Sequence, residues 1–473
     1  MLSLLVPIFP ARRGVTVLLI GVAALAVVLW AWGLAEGQPP GLPPGLGGPG
    51  PGAGAAPPGG VPNIPGLPPI PGTTPEVPEP PPVPPQVPNY LELSVDASLA
   101  AQRQNIQRML REGNFNAVAN GQQVFRDYYV NYFFPGWTQA ANRSKLQQLR
   151  TQLTNSELAN MARGGGPPHD LLVQLALQTL TDYVKNDQLD PAVRVAAMLA
   201  IGELNDRERG IGSSAPPAPA AAALPVLIEA ITDPQQMDAV KLAALVGLER
   251  HCVIGIADAN VLNSQVIPLL SNLAQEKNPP AGRDADVHAW FRARAIGILG
   301  GMQALGANTQ VVQALAGMVG DAAEPVRVRL AAAQALGGLN LASAQGVDFA
   351  AVAQSLGKMV LDLCVADVQA SLAGSGNTLS SRRIASYVYS AQIGLRAVRG
   401  AVGGQPIEQT VGKLSTALDG VTKALNDAAN ARDPNADLLQ RLPQALGKLS
   451  TDVQALQPAA PAGAPATAAA PTG

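Results

Sequence analysis

Cysteine, histidine and charge are all scarce in this chain of 473 residues. Two cysteines, Cys252 and Cys364, stand far apart, which excludes a disulfide framework. Three histidines, His169, His251 and His288, share no metal-ligand spacing with one another or with the cysteines, so no metal is expected. Charged residues reach 14%, and 32 bases nearly cancel 34 acids. No window concentrates Lys and Arg as displacement of counterions from phosphates requires, so no nucleic-acid partner is expected. No GxSxG elbow is present, and "GGGPPH" (Gly164–His169) and "AGSGNTLSS" (Ala373–Ser381) lack the lysine of a phosphate loop. They read as loops, and neither a catalytic residue nor a cofactor is predicted.

Aromatics are few as well, and unevenly placed. Seven of them lie in "FRDYYVNYFFPGW", Phe125–Trp137. Phe125, Tyr128, Tyr129, Tyr132 and Phe133 follow i, i+3, i+4, i+7, i+8 spacing, one face of a helix, and Pro135 with Gly136 ends it. The stripe reads as the core of an N-terminal helical cap over 89–168, covered by helices from Ser98 to Glu112 and Ser144 to Met161. Phe134 and Trp137 fall off the stripe and are expected outside it, as candidate binding residues.

What the chain does have is apolar and small. After Arg12 and Arg13 an uncharged run, Val15–Ala35, is long enough to cross a bilayer, with Trp30 and Trp32 at its far end and Glu36 as the first acid. The reading is a cytoplasmic N-terminus at 1–13, a signal-anchor helix at 14–35 that carries the membrane contact, and an extracytoplasmic bulk. A cleaved secretory signal and a secreted product is the alternative, since Gly33 and Ala35 resemble a cleavage site. Residues 36–88 read as a disordered linker: positions 39–88 hold 21 prolines and 11 glycines, which cannot bury a core. Fully extended, that stretch would span roughly 150 Å.

From His169 the chain turns Ala- and Leu-rich and repeats itself. "DLLVQLALQTLTDYVKNDQLDPAVRVAAMLAIGEL" reads as a helix, a turn with Asp190 and Pro191, and a second helix. "VRVAAMLAIGEL" from Val193 aligns with "VRLAAAQALGGL" from Val328, with "FRARAIGILGGM" from Phe291 and with "VKLAALVGLERH" from Val240, where Glu249 replaces the glycine of Gly202, Gly300 and Gly337. A weaker copy carries Arg383 and Ser386. The basic positions Arg194, Lys241, Arg292, Arg329 and Arg383 are spaced 47, 51, 37 and 54 residues apart. A two-helix unit cannot bury its apolar face alone, whereas stacked copies can.

The strings Asp190, Pro191, Val193, Arg194 and Glu324, Pro325, Val328, Arg329, each followed by an alanine-rich helix, resemble the HEAT-repeat family over residues 169–404. The resemblance implies an all-α fold, a right-handed alpha-solenoid of about five helix pairs with second helices on the concave side, and a scaffold that binds protein partners. Some HEAT-like proteins are lyases or hydroxylases, which keeps an enzyme as a lesser alternative. The basic row reads either as a structural ladder with Asp190, Asp238, Asp286 and Glu324, or as a track for a ligand.

Apolar spacing from Ile407 to Leu425 and from Leu439 to Leu456, broken at Asp433 and Pro434, predicts a helical hairpin over 405–457, with Pro443 interrupting or restarting its second helix. It caps the stack or joins two copies into a homo-oligomer. Residues 458–473 read as a disordered tail. Inserts at "RERGIGSSAPPAPAAA", at "EKNPPAGRDADVH" and near Ser371 are expected to project as loops. Together these features predict a membrane-anchored scaffold in a bacterial envelope, with a self-assembling architectural protein as the alternative.

Overall fold

The computed structural model describes residues 89–159, 166–209, 214–256, 258–303, 305–306, 309–373 and 379–456, which belong to one compact unit, Gln86–Gly473. The expected membrane helix at 14–35, the linker at 36–88 and the tail at 458–473 lie outside them.

The chain enters as an extended segment tied down by two backbone donors: Leu91 N–H to the Gln188 carbonyl (2.9 Å) and Leu93 N–H to Thr138 Oγ1 (2.9 Å). A 3-10 turn, Ala97–Gln102, leads into α1, Arg103–Glu112. Helix α2, Gly121–Tyr128, runs on as a π-turn over Tyr129–Phe133 and a 3-10 turn over Pro135–Thr138. Helix α3, Leu146–Thr151, likewise continues as a π-turn, Gln152–Leu158.

The π-turn corrects the sequence reading of the aromatic stretch. A wider turn shifts the angular register, so Phe133 and Phe134, neighbours in sequence, both reach inward. Phe134 and Trp137, expected outside, are 0% exposed. Their ring centroids lie 6.4 Å apart, and Trp137 meets Phe133 edge-on at 6.3 Å, as ring quadrupoles favour. Under the rings, the Tyr129 hydroxyl donates to the buried Glu157 carboxylate, which also accepts from Gln152 Nε2 at 2.7 Å. Burial pushes the Glu157 carboxyl up from the usual carboxylate range.

The rest of the chain is built from consecutive helix pairs: α4 (Pro167–Lys185) with α5 (Pro191–Glu203), then α6 (Ala223–Thr232) with α7 (Asp238–Ile254). Helix α8, Ile267–Gln275, is approached through a π-turn at Leu262–Val266 and pairs with α9, Ala285–Gly301. Helices α10 (Gln310–Gly320) and α11 (Val326–Gly338) follow, then α12 (Phe349–Leu372) and α13 (Ser381–Ala401), and last α14 (Glu408–Ala429) and α15 (Pro434–Gln454). Starts are set by local chemistry: Asp190, Asp284, Asp348, Ser380 and Asp433 each accept from a first-turn N–H, satisfying donors a helix N-terminus leaves open.

The second helices α5, α7, α9, α11 and α13 pack one on the next, while each first helix packs on its own partner. Among first helices, α4, α6 and α8 barely touch one another, but α10 and α12 share a substantial contact. Helix α14 packs on α13 and α15 on α12, so the apolar stripes Val411–Leu425 and Leu438–Val453 are internal. Pro443 does not interrupt α15. It sits on the exposed side, where a carbonyl left without its donor can be hydrated. Among the described residues, α12 is long and apolar enough to cross a bilayer; its Val352, Leu356, Met359, Val360 and Cys364 are buried in the protein core.

A two-stranded antiparallel sheet was not foreseen. Strand β1, Asn205–Arg207, pairs with β2, Ala218–Pro219, so the insert after α5 folds back on the stack at its base.

Candidate binding face

Helix starts place the basic row. Arg194, Arg292 and Arg329 sit near the first turns of α5, α9 and α11, and each reaches back to the end of its own pair's first helix. Their Nε atoms donate to the carbonyls of Val184 (3.1 Å), Ala274 (2.9 Å) and Val319 (3.1 Å). Those C-terminal carbonyls have no intrahelical donor and lie at the negative end of the helix dipole. The far edge of each guanidinium reaches the next pair: Arg194 Nη2 donates to Gln236 Oε1 (2.7 Å), Arg329 Nη2 to Asp362 Oδ2 (3.2 Å), and Arg292 Nη2 lies 2.7 Å from Glu324 Oε2, off the line of an aligned hydrogen bond.

Arg292 and Arg329 are 2% exposed, too enclosed to meet a ligand without unpacking. Arg383, on α13 in the fifth pair, is 45% exposed and binds Asp367 at 2.7 Å. Lys241 is buried on α7; burial, and then the charge of Arg283, lower its pKa. Of the four acids expected as partners, Glu324 meets Arg292. Asp190 instead caps α5 and lies 2.7 Å from Arg143 Nε, Asp238 pairs with Arg283 at 2.7 Å, and Asp286 is exposed on the first turn of α9. Phe134 and Trp137 belong to the aromatic core and lie apart from the row.

Sequence reasoning missed a second polar group, at the base of the β1–β2 insert. His169 is fully buried, with Nδ1 3.2 Å from Asp170 Oδ1 and Nε2 3.7 Å from Glu208 Oε1. Burial acts to lower its pKa, but the Glu208 and Asp170 carboxylates outweigh it and the net shift is upward. Glu208 accepts from Asn205 Nδ2 (2.8 Å), Asn205 accepts from Arg250, and Arg250 Nη1 donates to the Gly202 carbonyl (3.1 Å). Four segments, α4, the end of α5, β1 and α7, are thereby stitched together. His251, beside it, is pushed down to about 4 by burial and then by Arg250. The available signal was polar residues clustered directly after apolar helices in a chain poor in charge. Among the described residues, no group of three or more His, Cys, Asp or Glu is arranged to hold a metal ion.

The insert before α9 is fastened too. Arg283 forms a bidentate pair with Asp238 of α7 (2.9 and 2.7 Å) and lies over the Phe291 ring at 4.2 Å, while His288 Nε2 lies 2.6 Å from the Glu276 carbonyl oxygen. Burial pushes the Cys252 and Cys364 thiols up to about 12, so neither is a ready nucleophile.

No protein-family description matches the chain, and no curated protein matches it.

Among the described residues, hollows open to solvent border the helix pairs. One, of about 330 Å³, lies between α4 and α6 and is lined by Lys185, Asp187, Arg194, Glu229 and Asp233; Lys185 and Glu229 close across it at 2.7 Å. Another, of about 630 Å³, runs along α3, α5 and the start of α7, with Leu146, Val195, Leu199 and Met237 as its apolar part and Arg143 and Arg150 on it. It borders the layer of second helices.

Proposed function

We propose that this chain is a HEAT-like alpha-solenoid, anchored in a membrane through residues 14–35 and displayed outside the cytoplasm as a protein-binding scaffold. The observation that carries the reading is the continuous layer of second helices, tied at three of its four junctions by arginines that cap one helix and reach into the next unit. Between the first two pairs the second helices pack closely while α4 and α6 barely touch, which supports a stack curved with its second helices on the concave face. Repeat stacks use such faces for binding. The terminal pair α14–α15 turns its apolar stripes inward, which favours a monomeric platform over self-assembly through 405–457.

Photo-crosslinking from solvent-exposed positions in intact cells tests the scaffold reading, the expected outcome being discrete adducts with a small set of envelope proteins. Sedimentation of the full-length chain in detergent is expected to give a monomer at micromolar concentration; a dimer lost on charge substitution in α14 would favour the architectural alternative. A reporter fused after Gly404 is expected to be active outside the cytoplasm. Activity inside would remove the localisation.

A further inference from the structure

We infer that the groove along α3, α5 and the start of α7 takes an acidic, apolar peptide segment of a partner protein. The inference rests on the scaffold reading and names the chemistry of what that scaffold holds. The groove's apolar side chains come from α3 (Leu146), α5 (Val195, Leu199) and the residue that leads into α7 (Met237), so the hollow exists only because α3 packs beside α5 and α5 beside α7. Methionine, unbranched and polarizable, adapts to varied apolar side chains.

Its charge has one sign. Arg143 and Arg150 line the groove and no carboxylate does. A guanidinium has five donors. Arg143 lies across the Tyr90 ring at 5.3 Å, with Nε 2.7 Å from Asp190 Oδ2 but off the line of an aligned hydrogen bond, while Arg150 comes no closer than 3.7 Å to Glu203. Both side chains remain partly exposed, at 31% and 21%, and so are placed to meet a carboxylate as charge-assisted pairs. Two arginines beside an apolar floor suit a short peptide with alternating carboxylate and aliphatic side chains. They fall short of the basic run that a nucleic acid needs.

The test is fluorescence anisotropy on the full-length chain with a fluorescein-labelled peptide of alternating leucine and glutamate. Two counterparts, lysine for glutamate and serine for leucine, complete the set. The leucine–glutamate peptide is expected to bind, about tenfold or more tighter than either counterpart, and to weaken as salt rises. Arg150→Glu and Leu199→Asp are each expected to lower its affinity about tenfold, whereas Arg396→Glu, on exposed α13 surface, leaves it unchanged. Arg150→Gln serves where Arg150→Glu shifts the thermal midpoint. Equal binding of all three peptides, unchanged affinity in the groove variants, or displacement of the peptide by an equal concentration of single-stranded oligothymidylate would each overturn the inference. Crosslinked partners captured in cells at Val253 and Leu372, both exposed, together with no peptide binding, would sink the groove and leave the scaffold standing.

Discussion

Along the layer of second helices, three junctions bring backbones together at glycine, and one does not. At α5–α7 a Cβ on Gly202 would lie 2.5 Å from Gly247 Cα; at α9–α11 one on Gly300 would lie 2.7 Å from Ala335 Cα; at α11–α13 one on Gly394 would lie 2.8 Å from the Ala333 carbonyl oxygen. The α7–α9 junction is smaller and has Glu249 paired with Arg294. In the repeat register Glu249 stands where the other copies have glycine, and Arg294 stands where they have Ala196, Ala243 and Ala331. Two exceptions on facing helices thus answer each other. A second ion pair, Asp238 with Arg283, spans the same junction. At the close junctions the helix-to-helix contact is set by shape, which is sensitive to volume, with Arg292–Glu324 and Arg329–Asp362 added beside two of them; at the open one helix meets helix through charge, which is sensitive to salt and pH.

The largest break is expected in the close junctions. Gly300→Val drives a branched side chain into the Ala335 backbone, and overpacking of that kind costs about 3 kcal/mol, read as a lower denaturant midpoint. Gly297→Ala, on the same helix with open space around it, is expected to be neutral or slightly stabilising.

Next is His251, buried at the α5 side of α7. Its folded pKa, about 4, lies below the ordinary 6.5, so the unfolded chain binds the proton first. Its stability contribution is complete above pH 6.5 and is lost as pH falls toward 4, by about 3 kcal/mol in all. His251→Leu is expected to flatten the stability profile relative to the parent across that window; parallel profiles would show that His251 is not held neutral.

The charged junction should respond more weakly. The Asp238 carboxyl is held below its usual range by the Arg283 hydrogen bonds, with burial opposing and the Arg283 charge adding. Its contribution is therefore present above the ordinary Asp value and lost as pH drops below it. Asp238→Asn is expected to cost about 1 kcal/mol near neutral pH and nothing extra in strong acid, measured by chemical denaturation.

The smallest effect belongs to Glu249 and Arg294, whose side chains are 30% and 22% exposed. Glu249→Gln is expected to cost about 0.5 kcal/mol in dilute buffer, shrinking in molar salt. Hydrogen exchange should localise the change to α7 and α9. An equal, salt-independent loss across α5–α7 would erase the distinction between the two kinds of junction.

Features carried by neighbouring residues were legible before any coordinates. Asp190–Pro191 and Asp433–Pro434 start helices because capping satisfies backbone donors within a few residues. The apolar stripes of α14 and α15 were readable because helical periodicity is local. Phe134 and Trp137 were misplaced because a π-turn changes the register that a straight helix assumes, and only the surrounding rings and Glu157 favour that turn. Three of the four acids proposed for the basic row met other partners or none expected, since repeat register says which residues are equivalent but not which loops fold back between them. The candidate groove was not legible at all: its walls lie about ninety positions apart, from Arg143 to Met237.

By itself, the sequence determined an all-α chain of repeated helix pairs, with the positions of their starts and of the basic residue in each second helix. Tertiary structure alone decided which arginines are enclosed, where the His169–Glu208 group closes, and that α7 and α9 meet through an ion pair in place of glycine. The physical reason is range. Caps and periodicity act over a few residues, whereas burial, ion pairing and a shared groove depend on distances set only when distant helices pack.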